Sequence, residues 1–279
     1  MSYKFKEKLY KGLVQEIKIR KLIVRKKSKF QNIEIFDTEP YGRVLALDGI
    51  IQITEKDEAA YSEMLVHPII QCLKSFPKKI LIVGGGDGAI AEELFKYKLI
   101  NNVDLVDIDK EVVNLSKKYL IKINKNSLKS KRINIFYEDA FHYIKNTNNK
   151  YDVIIADRPD PVGAGKILFN IKFYENINRI MSNNSIAVFQ SGVPFLQKRE
   201  LEKVLKDVKK YFKYSGFYLT TVPSYIGGFM ALVWASNNQS LKNEKNKARH
   251  YKIKTQYYNK DILQGCFAIP NFMKETETN

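Results

Sequence analysis

The sequence is poor in the residues that form disulfides and metal centres. Among 279 residues there are two cysteines, Cys72 and Cys266, and three histidines, His67, His142 and His250, far apart along the chain. They form neither a disulfide framework nor a zinc-ligand spacing, so we expect no metal and a reducing, cytoplasmic compartment. No apolar run approaches the roughly 20 residues of a membrane span, and the N-terminal residues lack the apolar core of a signal peptide. We therefore expect no membrane association.

Negative charge is also scarce. The chain has 47 Lys and Arg against 30 Asp and Glu, a formal net charge of +17. Such a balance is compatible with nucleic-acid binding. However, the lysines are spread along the whole chain, and no basic helix or basic strand with interleaved aromatic residues stands out. A compositional bias of the source genome explains the charge better, and we expect no nucleic-acid partner.

The apolar content predicts two domains. Hydrophobic residues make up 44% of the chain, enough for one sizeable α/β domain and a small accessory domain. Alternating strands fill residues 13–53, with a strong hairpin signal at Asp48-Gly49, which predicts a small antiparallel β domain over residues 1–54. Residues 55–279 are predicted to form the second domain, which opens with a helix capped by Thr54 or Asp57.

Beyond Pro77, strand and helix patterns alternate, which indicates a doubly wound, mostly parallel sheet. The last two strands have no helix between them and predict an antiparallel pair at the sheet edge. The Lys/Asn-rich stretch 237–250 is predicted to be a solvated surface segment. The predicted strands are 79–83, 103–108, 133–137, 151–156, 185–190, 216–221 and 228–235, and the predicted helices lie near 88–98, 110–120, 139–146, 170–181 and 196–212.

A glycine-rich turn follows the first of these parallel strands. Gly84, Gly85, Gly86 and Gly88 let backbone N–H groups approach a ligand closely, and the helix that starts there adds partial positive charge. Asp87 lies within the same turn and would repel a phosphate. The turn therefore predicts a cradle for a nucleoside with a positive charge, such as a sulfonium derivative of S-adenosylmethionine.

Acidic residues stand at the ends of four predicted parallel strands, where ligands bind in open sheets. Helix capping explains any one of them, but four like charges in one cleft cost stability and so indicate a cationic ligand. On the last loop, which is rich in proline, one carboxylate can anchor a distal ammonium while the other accepts a proton from a reacting amine. The acids are Asp87, Asp107 with Asp109, Glu138 with Asp139, and Asp157 with Asp160.

From about residue 10 to residue 273, the chain resembles the spermidine synthase family of polyamine aminopropyltransferases. A glycine turn alone is a weak signal, but an ordered set of motifs over nearly the whole chain is a strong one. The matching segments are 41–49 (YGRVLALDG), 54–64, 84–89 (GGGDGA), 157–161 (DRPDP), 189–193 (FQSGV), 222–228 (VPSYIGG), 257–262 and 267–270.

The resemblance implies an N-terminal β domain on a Rossmann-like, methyltransferase-type core, assembled as a homodimer or homotetramer. It also implies transfer of a 3-aminopropyl group from decarboxylated S-adenosylmethionine, a co-substrate, to putrescine. The products are spermidine and methylthioadenosine, and neither a metal nor another cofactor is used.

The same resemblance assigns roles to individual residues. Asp157 is implied to be the catalytic proton acceptor, and with Asp87 it holds the aminopropyl amine of the donor. Asp107 takes the ribose. The other implied donor contacts are Gln31, Gly84, Gly85, Gly86, Gly88, Asp139, Ala140 and Ala164, and the implied acceptor contacts are Tyr61, Ser62, Asp87, Asp157, Asp160, Gln190 and Tyr225.

The chain departs from the family pattern in the acceptor region and in the catalytic loop. Ser62 stands where family members usually have His or Gln, so the preference among putrescine, cadaverine and agmatine stays open. Ala164 replaces a usual Pro, and Lys166 stands where an acid is frequent. Arg158 and Pro159 occupy the middle of the loop motif.

Arg158 has two interpretations. It can result from sequence drift and point to solvent. Alternatively, its guanidinium can pair with the carboxylate of undecarboxylated S-adenosylmethionine, which would make the protein an aminocarboxypropyl transferase acting on a diamine or agmatine. A small-molecule methyltransferase and a basic nucleic-acid-binding protein are the less favoured alternatives.

Overall fold

The computed structural model describes residues 4–158, 168–249 and 251–278. These residues form a five-stranded antiparallel sheet followed by a seven-stranded mixed sheet that is covered by helices. The predicted fold class is therefore confirmed. Within the described part of the chain, every helix is too short or too polar to cross a lipid bilayer.

The five-stranded sheet is a meander in which each strand pairs with the next along the chain. Asp48 and Gly49 both have positive φ angles, 48° and 77°, which is the backbone of a two-residue hairpin turn and confirms the predicted hairpin. The first strand is absent from the prediction because its four residues are too few to establish an alternating pattern. The strands are β1 (Lys4–Glu7), β2 (Gln15–Lys27), β3 (Asn32–Thr38), β4 (Gly42–Leu47) and β5 (Ile50–Thr54).

In the seven-stranded sheet the spatial order is β11-β12-β10-β9-β6-β7-β8. The five strands from β10 to β8 are parallel, while β12 and β11 form the predicted antiparallel pair at the edge. Residues 80–83 and 153–156 are almost completely buried because both faces of the sheet are covered. The strands are β6 (Ile80–Gly84), β7 (Val103–Val106), β8 (Ile133–Phe136), β9 (Tyr151–Asp157), β10 (Met181–Gln190), β11 (Tyr214–Thr221) and β12 (Phe229–Ser236).

The predicted helices are present within a few residues of their predicted ends, but the prediction lacks four helices that the structure shows, at residues 121–124, 241–244, 260–265 and 271–278. The largest difference in a strand is at β10, which begins four residues before the prediction. The helices are α1 (Glu58–Cys72), α2 (Ala89–Phe95), α3 (Lys110–Tyr119), α4 (Ile121–Asn124), α5 (Ala140–Asn146), α6 (Ile171–Ile180), α7 (Pro194–Lys209), α8 (Leu241–Glu244), α9 (Lys260–Gly265) and α10 (Asn271–Thr278).

Helix α1 is buried along its entire length and packs against α2, β9 and β11. Asp57 occupies its N-cap position, yet the Asp57 carboxylate makes no hydrogen bond to the helix. It accepts instead from the Thr54 hydroxyl, at 2.5 Å, and from the backbone N–H of Ser224, at 2.7 Å. Asp57 therefore stands at the predicted N-cap position, but the predicted capping hydrogen bond is absent. Its carboxylate instead joins the start of α1 to the loop that follows β11.

A buried ionic network joins α1 to α2. Nε2 of His67 lies 2.8 Å from Oε2 of Glu93, and Nδ1 lies 3.0 Å from the Tyr97 hydroxyl. The Lys96 ammonium is 2.7 Å from the Glu93 carboxylate and 3.7 Å from that of Glu63. Desolvation raises the pKa of Glu93 to about 9 and lowers that of His67 to about 3. Glu63, His67 and Glu93 are of residue types that bind metals, and their ligand atoms lie close together. Each of them already has a partner within the protein.

The segment after β12 is less solvated than predicted. Most of residues 242–249 are exposed or partly exposed, but Leu241 on α8 is fully buried. Further along, the Glu63 carboxylate of α1 accepts hydrogen bonds from the backbone N–H groups of Gln256, Tyr257 and Tyr258. A carboxylate of the buried helix therefore anchors the C-terminal part of the chain.

The close approach of β6 to β9 positions the functional end of the sheet. Gly84 pairs with Asp157 across the two strands. A Cβ atom at Gly84 would lie 2.1 Å from the carbonyl oxygen of Asp157, so a larger residue must push the two strand ends apart.

We expect Gly84→Ala to destabilise the protein by about 3 kcal/mol or more, because it adds a backbone clash to the cost of a positive φ. Gly49→Ala is the matched control, since Gly49 has the same φ of 77° and no atom within 4 Å of its added Cβ. This control should lose only about 1–2 kcal/mol. Thermal unfolding of both variants tests the prediction, and equal losses would contradict it.

Candidate active site

A cavity of about 410 Å³ lies between the two sheets. One wall consists of the carboxyl ends of β6, β7, β9 and β10 together with the turn after β8, and the opposite wall comes from β4, β5 and the turn before β3. This is the position at which open parallel sheets bind ligands. Thirteen of the predicted site residues or their immediate neighbours contribute to its lining: Gln31, Tyr61, Gly84, Gly85, Gly86, Asp87, Asp107, Asp139, Ala140, Asp157, Arg158, Gln190 and Tyr225.

The glycine turn forms the floor of the cavity. A Cβ atom at Gly86 would lie 2.4 Å from Oδ2 of Asp107, so glycine is needed for the turn to approach the end of β7. Gly88 also belongs to the turn, but it does not line the cavity. It is the left-handed N-cap residue of α2, and the side chains of Asn124 and Leu128 cover it.

Most of the strand-end acids bind the start of the following helix or turn. Asp87 accepts a hydrogen bond from the backbone N–H of Ala89, Asp109 from Glu111 and Asp139 from His142, at 2.7–3.0 Å. Asp107 accepts from the N–H of Asp109 at 2.8 Å. Capping and cavity lining thus occur together for Asp87 and Asp139, because the cavity lies at the N-terminal ends of these helices.

Asp157 differs from the other acids. It accepts a hydrogen bond from a side chain, the hydroxyl of Tyr61, which donates to Oδ1 at 2.5 Å. Desolvation in the cavity, together with the negative charge of Asp87, raises the pKa of Asp157 to about 7, against the opposing effect of the Tyr61 hydrogen bond, which lowers it. A carboxylate with this pKa can exchange a proton near neutral pH.

Asp87 and Asp107 share this electrostatic environment. Desolvation raises the pKa of both, that of Asp107 to about 6, and neighbouring carboxylates add to the shift at Asp107. In the described residues, no Lys or Arg forms an ion pair with Asp87, Asp107 or Asp157. The cavity therefore holds three carboxylates that favour a cationic ligand.

Three further predicted residues border this acidic centre. The Gln31 amide donates to Asp109 at 3.0 Å, which ties the turn before β3 to the start of α3. The Tyr225 ring meets the Tyr61 ring edge to face, with centroids 5.9 Å apart. Gln190 lines the cavity, and its Oε1 is buried without a hydrogen-bond partner among the described residues.

The structure does not bring every predicted residue to the cavity. Ser62 is fully buried, and its hydroxyl donates to the carbonyl and the carboxylate of Glu58, at 2.8 and 2.5 Å. It turns toward its own helix, so its predicted acceptor contact is not supported. Asp160 and Ala164, like Pro159 and Lys166, lie outside the described residues.

Both interpretations of Arg158 need correction. The side chain does not point to solvent, since the residue is only 2% exposed. Its Nε and Nη1 atoms donate to protein acceptors, and its Nη2 atom is covered by protein without a hydrogen-bond partner. No donor atom of Arg158 is therefore open to a substrate carboxylate.

Some lining residues are absent from the sequence-based prediction. Glu7 reaches the cavity from the unpredicted strand β1, and Gln52 from β5. Gln197 reaches it because its backbone, with φ −127° and ψ 37°, interrupts α7, and its Oε1 accepts from the N–H of Val193. Because β1 has only four residues, no alternating pattern marks Glu7 in advance, and no sequence signal marks Gln197.

Comparisons with known proteins agree with this architecture. Residues 2–55 match the spermidine synthase tetramerisation domain, and residues 58–246 match the spermine/spermidine synthase domain. The polyamine aminopropyltransferase of Buchnera aphidicola subsp. Acyrthosiphon pisum is 39% identical over 272 residues, which cover 96% of this chain and 95% of that protein. Polyamine aminopropyltransferase 1 of Pseudomonas aeruginosa is 35% identical over 275 residues, covering 96% of each chain.

Solved structures give the same result. A spermidine synthase in complex with the transition state analogue AdoDATO superimposes with a TM-score of 0.93 at 28% identity, over 99% of this chain and 95% of that one. The spermidine synthase of Thermotoga maritima superimposes with a TM-score of 0.90 at 28% identity, over 99% and 94%. The chain therefore belongs to the spermidine synthase family of polyamine aminopropyltransferases.

Proposed function

We propose that the protein transfers the 3-aminopropyl group of decarboxylated S-adenosylmethionine to putrescine, giving spermidine and methylthioadenosine. The observation that carries this proposal is Asp157, a desolvated carboxylate that is hydrogen-bonded to Tyr61 and lies beside Asp87 and Asp107 without a cationic partner among the described residues. Two cationic substrates would supply the missing positive charge.

The donor is proposed to occupy the side of the cavity that the glycine turn forms. Gly84, Gly85 and Gly86 let the backbone approach the nucleoside, and Asp107 offers its carboxylate to the ribose hydroxyls. Asp87 and Asp157 would hold the aminopropyl ammonium. Asp139 and Ala140 would border the adenine, with Gln31 at the entrance from the N-terminal sheet.

The acceptor amine must lose a proton. An alkylamine has a pKa of about 10.4, so deprotonation at pH 7 costs roughly 4–5 kcal/mol. A carboxylate cannot reduce this cost by attraction, because it stabilises the ammonium form. We propose that Asp157 positions the amine and accepts its proton while the new C–N bond forms.

Bond breaking at sulfur supplies the driving force. The amine nitrogen attacks the methylene carbon on the sulfonium, the C–S bond breaks, and its electron pair stays on sulfur as a neutral thioether. Tyr61, Gln190 and Tyr225 would border the acceptor. Asp160 stays a sequence-based prediction for the distal ammonium.

The remaining predictions concern the domain boundary, the oligomeric state, the cellular compartment and the need for cofactors. We propose a domain boundary between residues 54 and 55 and a homo-oligomer, with a dimer or a tetramer as the expected forms. The match of residues 2–55 to a tetramerisation domain supports self-association. We further propose that the protein acts in the cytoplasm without a metal or a bound cofactor.

A product assay tests the reaction. The purified protein is offered putrescine with decarboxylated S-adenosylmethionine and, in parallel, with S-adenosylmethionine, and the products are identified by mass spectrometry. We expect spermidine and methylthioadenosine from the first donor alone, because no donor atom of Arg158 is open to a carboxylate. A carboxylated product from the second donor, or no product from either, would contradict the proposal.

Asp157→Asn should lower kcat/KM by about 10²–10⁴-fold, the usual contribution of a general base. It should also raise Tm, and more at pH 8 than at pH 5. The pKa of Asp157 is raised to about 7 in the folded protein, so the wild type loses stability as pH rises from its unfolded pKa to 7, whereas Asn stays neutral. Asp207→Asn, on α7 and outside the cavity lining, should leave kcat/KM unchanged. An Asp157→Asn variant with full activity would rule out the assigned role.

Tyr61→Phe should move the acid limb of the pH profile of kcat/KM to higher pH. The limb is expected near pH 7 in the wild type, and the Tyr61 hydrogen bond lowers the pKa of Asp157. Tyr225→Phe is the matched control, because its hydroxyl donates to the Gln52 carbonyl and not to Asp157. Equal shifts in both variants would mean that the limb does not report Asp157.

A further inference from the structure

Arg158 is held by protein acceptors at two of its three guanidinium nitrogens. It follows Asp157 at the end of β9, and its Nε donates to the backbone carbonyl of Gln190 at 3.1 Å. Its Nη1 donates to the carbonyl of Leu168 at 2.6 Å and to the Tyr174 hydroxyl at 2.8 Å. One guanidinium thus joins the ends of β9 and β10 to the chain just before α6.

Aromatic rings surround the same guanidinium. Its central carbon lies 3.9 Å from the ring centroid of Phe169, and the rings of Phe173, Tyr174 and Phe189 lie within 5.9 Å. No carboxylate among the described residues pairs with it, and Nη2 has no acceptor. Burial of a cation under these conditions costs stability, so an arginine here requires a compensating benefit.

The benefit lies in the carbonyl group that Arg158 holds at the cavity wall. The backbone of Gln190 is fixed through its carbonyl, while its side-chain Oε1 is buried at the cavity without a protein partner. The nitrogen that holds Gln190 belongs to the residue next to Asp157. The last paired residues of β9 and β10 are Ala156 and Phe189, and Arg158 links the two strands one residue beyond them, between Gln190 and the neighbour of Asp157.

We propose that Arg158 is a positioning residue for the acceptor amine: its guanidinium fixes Gln190 relative to Asp157 and does not touch either substrate. This inference rests on the proposed aminopropyl transfer and adds to it the way in which the acceptor is held. It requires that weakening Arg158 affects the acceptor more than the donor.

Arg158→Lys is the first test, because lysine keeps the positive charge but lacks the planar fork that reaches three acceptors. We expect the KM for putrescine to rise about tenfold, since displaced binding groups reduce effective positioning. The KM for decarboxylated S-adenosylmethionine should stay within about twofold, because the hydrogen bonds of Arg158 go to Gln190, Leu168 and Tyr174 and not to the glycine turn, Asp87 or Asp107. Steady-state kinetics with each substrate varied in turn measure both values.

Arg132→Lys is the matched control. Arg132 also stacks on an aromatic ring, that of Phe95 at 4.0 Å, and donates to the carbonyls of Phe95 and Ile100, but it does not line the cavity. We expect it to lower Tm without a change in either KM. If Arg158→Lys likewise lowers Tm and leaves the putrescine KM unchanged, Arg158 is only structural and the inference fails.

A double-mutant cycle isolates the route of the effect. In a Gln190→Ala background, Arg158→Lys should raise the putrescine KM no further, because the side-chain amide that Arg158 positions is then absent, although the backbone carbonyl that Nε contacts remains. Additive increases would overturn the inference. If Arg158→Lys does not fold, Tyr174→Phe is used instead, because it removes one hydrogen-bond partner of the guanidinium. The putrescine KM should then rise by about two- to threefold. This rise should also disappear in the Gln190→Ala background. A wild type that makes no spermidine would contradict the proposed function itself.

Discussion

The structure depends on holding three carboxylates together in one poorly hydrated cavity. Asp87, Asp107 and Asp157 repel one another and lose hydration, and both effects raise pKa values in the cluster. Backbone geometry maintains the arrangement: Gly84 allows β6 to approach β9, and Gly86 allows the turn to approach Asp107. Binding of a cationic ligand would reduce this repulsion, because its positive charge stabilises the ionised carboxylates.

The overall charge and the charge of the cavity have opposite signs. The chain carries a net charge of +17, which by itself would repel a diamine and a sulfonium. At physiological ionic strength, however, exposed charges are screened beyond about 8 Å. The carboxylates in the cavity act on a bound substrate at contact distance. The local cluster therefore decides what binds, and the net charge is a poor guide to the ligand.

The sequence predicted the parts of the fold that depend on local pattern. The apolar strands of the parallel core, the Asp48-Gly49 hairpin and the acids at the strand ends all follow from short-range rules. Helix α1 marks the limit of those rules. It is entirely buried although it contains Glu63 and His67, because partners distant in sequence satisfy these polar groups.

The sequence predicted which residues line the cavity where the backbone alone fixes their position. It did not predict the partners of side chains that can adopt more than one orientation. Asp87 and Asp107 follow directly from the ends of their strands. Ser62 turns instead to Glu58, one helical turn away, and Arg158 turns to carbonyl groups from two other segments. The choice between such partners depends on tertiary packing, which a motif does not contain.

The opposite orientations of Asp157 and Arg158 keep the guanidinium from neutralising the carboxylate in the cavity. Consecutive residues of a strand project to opposite faces of a sheet. Val153 and Ile155 pack on the face that includes Tyr61, whereas Ile154 and Ala156 pack on the face with Phe173 and Tyr174. Asp157 continues the first series toward the cavity, and Arg158 continues the second toward the aromatic rings.

If the two side chains shared a face, the guanidinium would neutralise the carboxylate and hold its pKa far below 7. Asp157 would then be a weak base and a poor ligand for a cation. The alternation of the strand thus keeps the anion at the substrate and places the cation where it can hold the cavity wall.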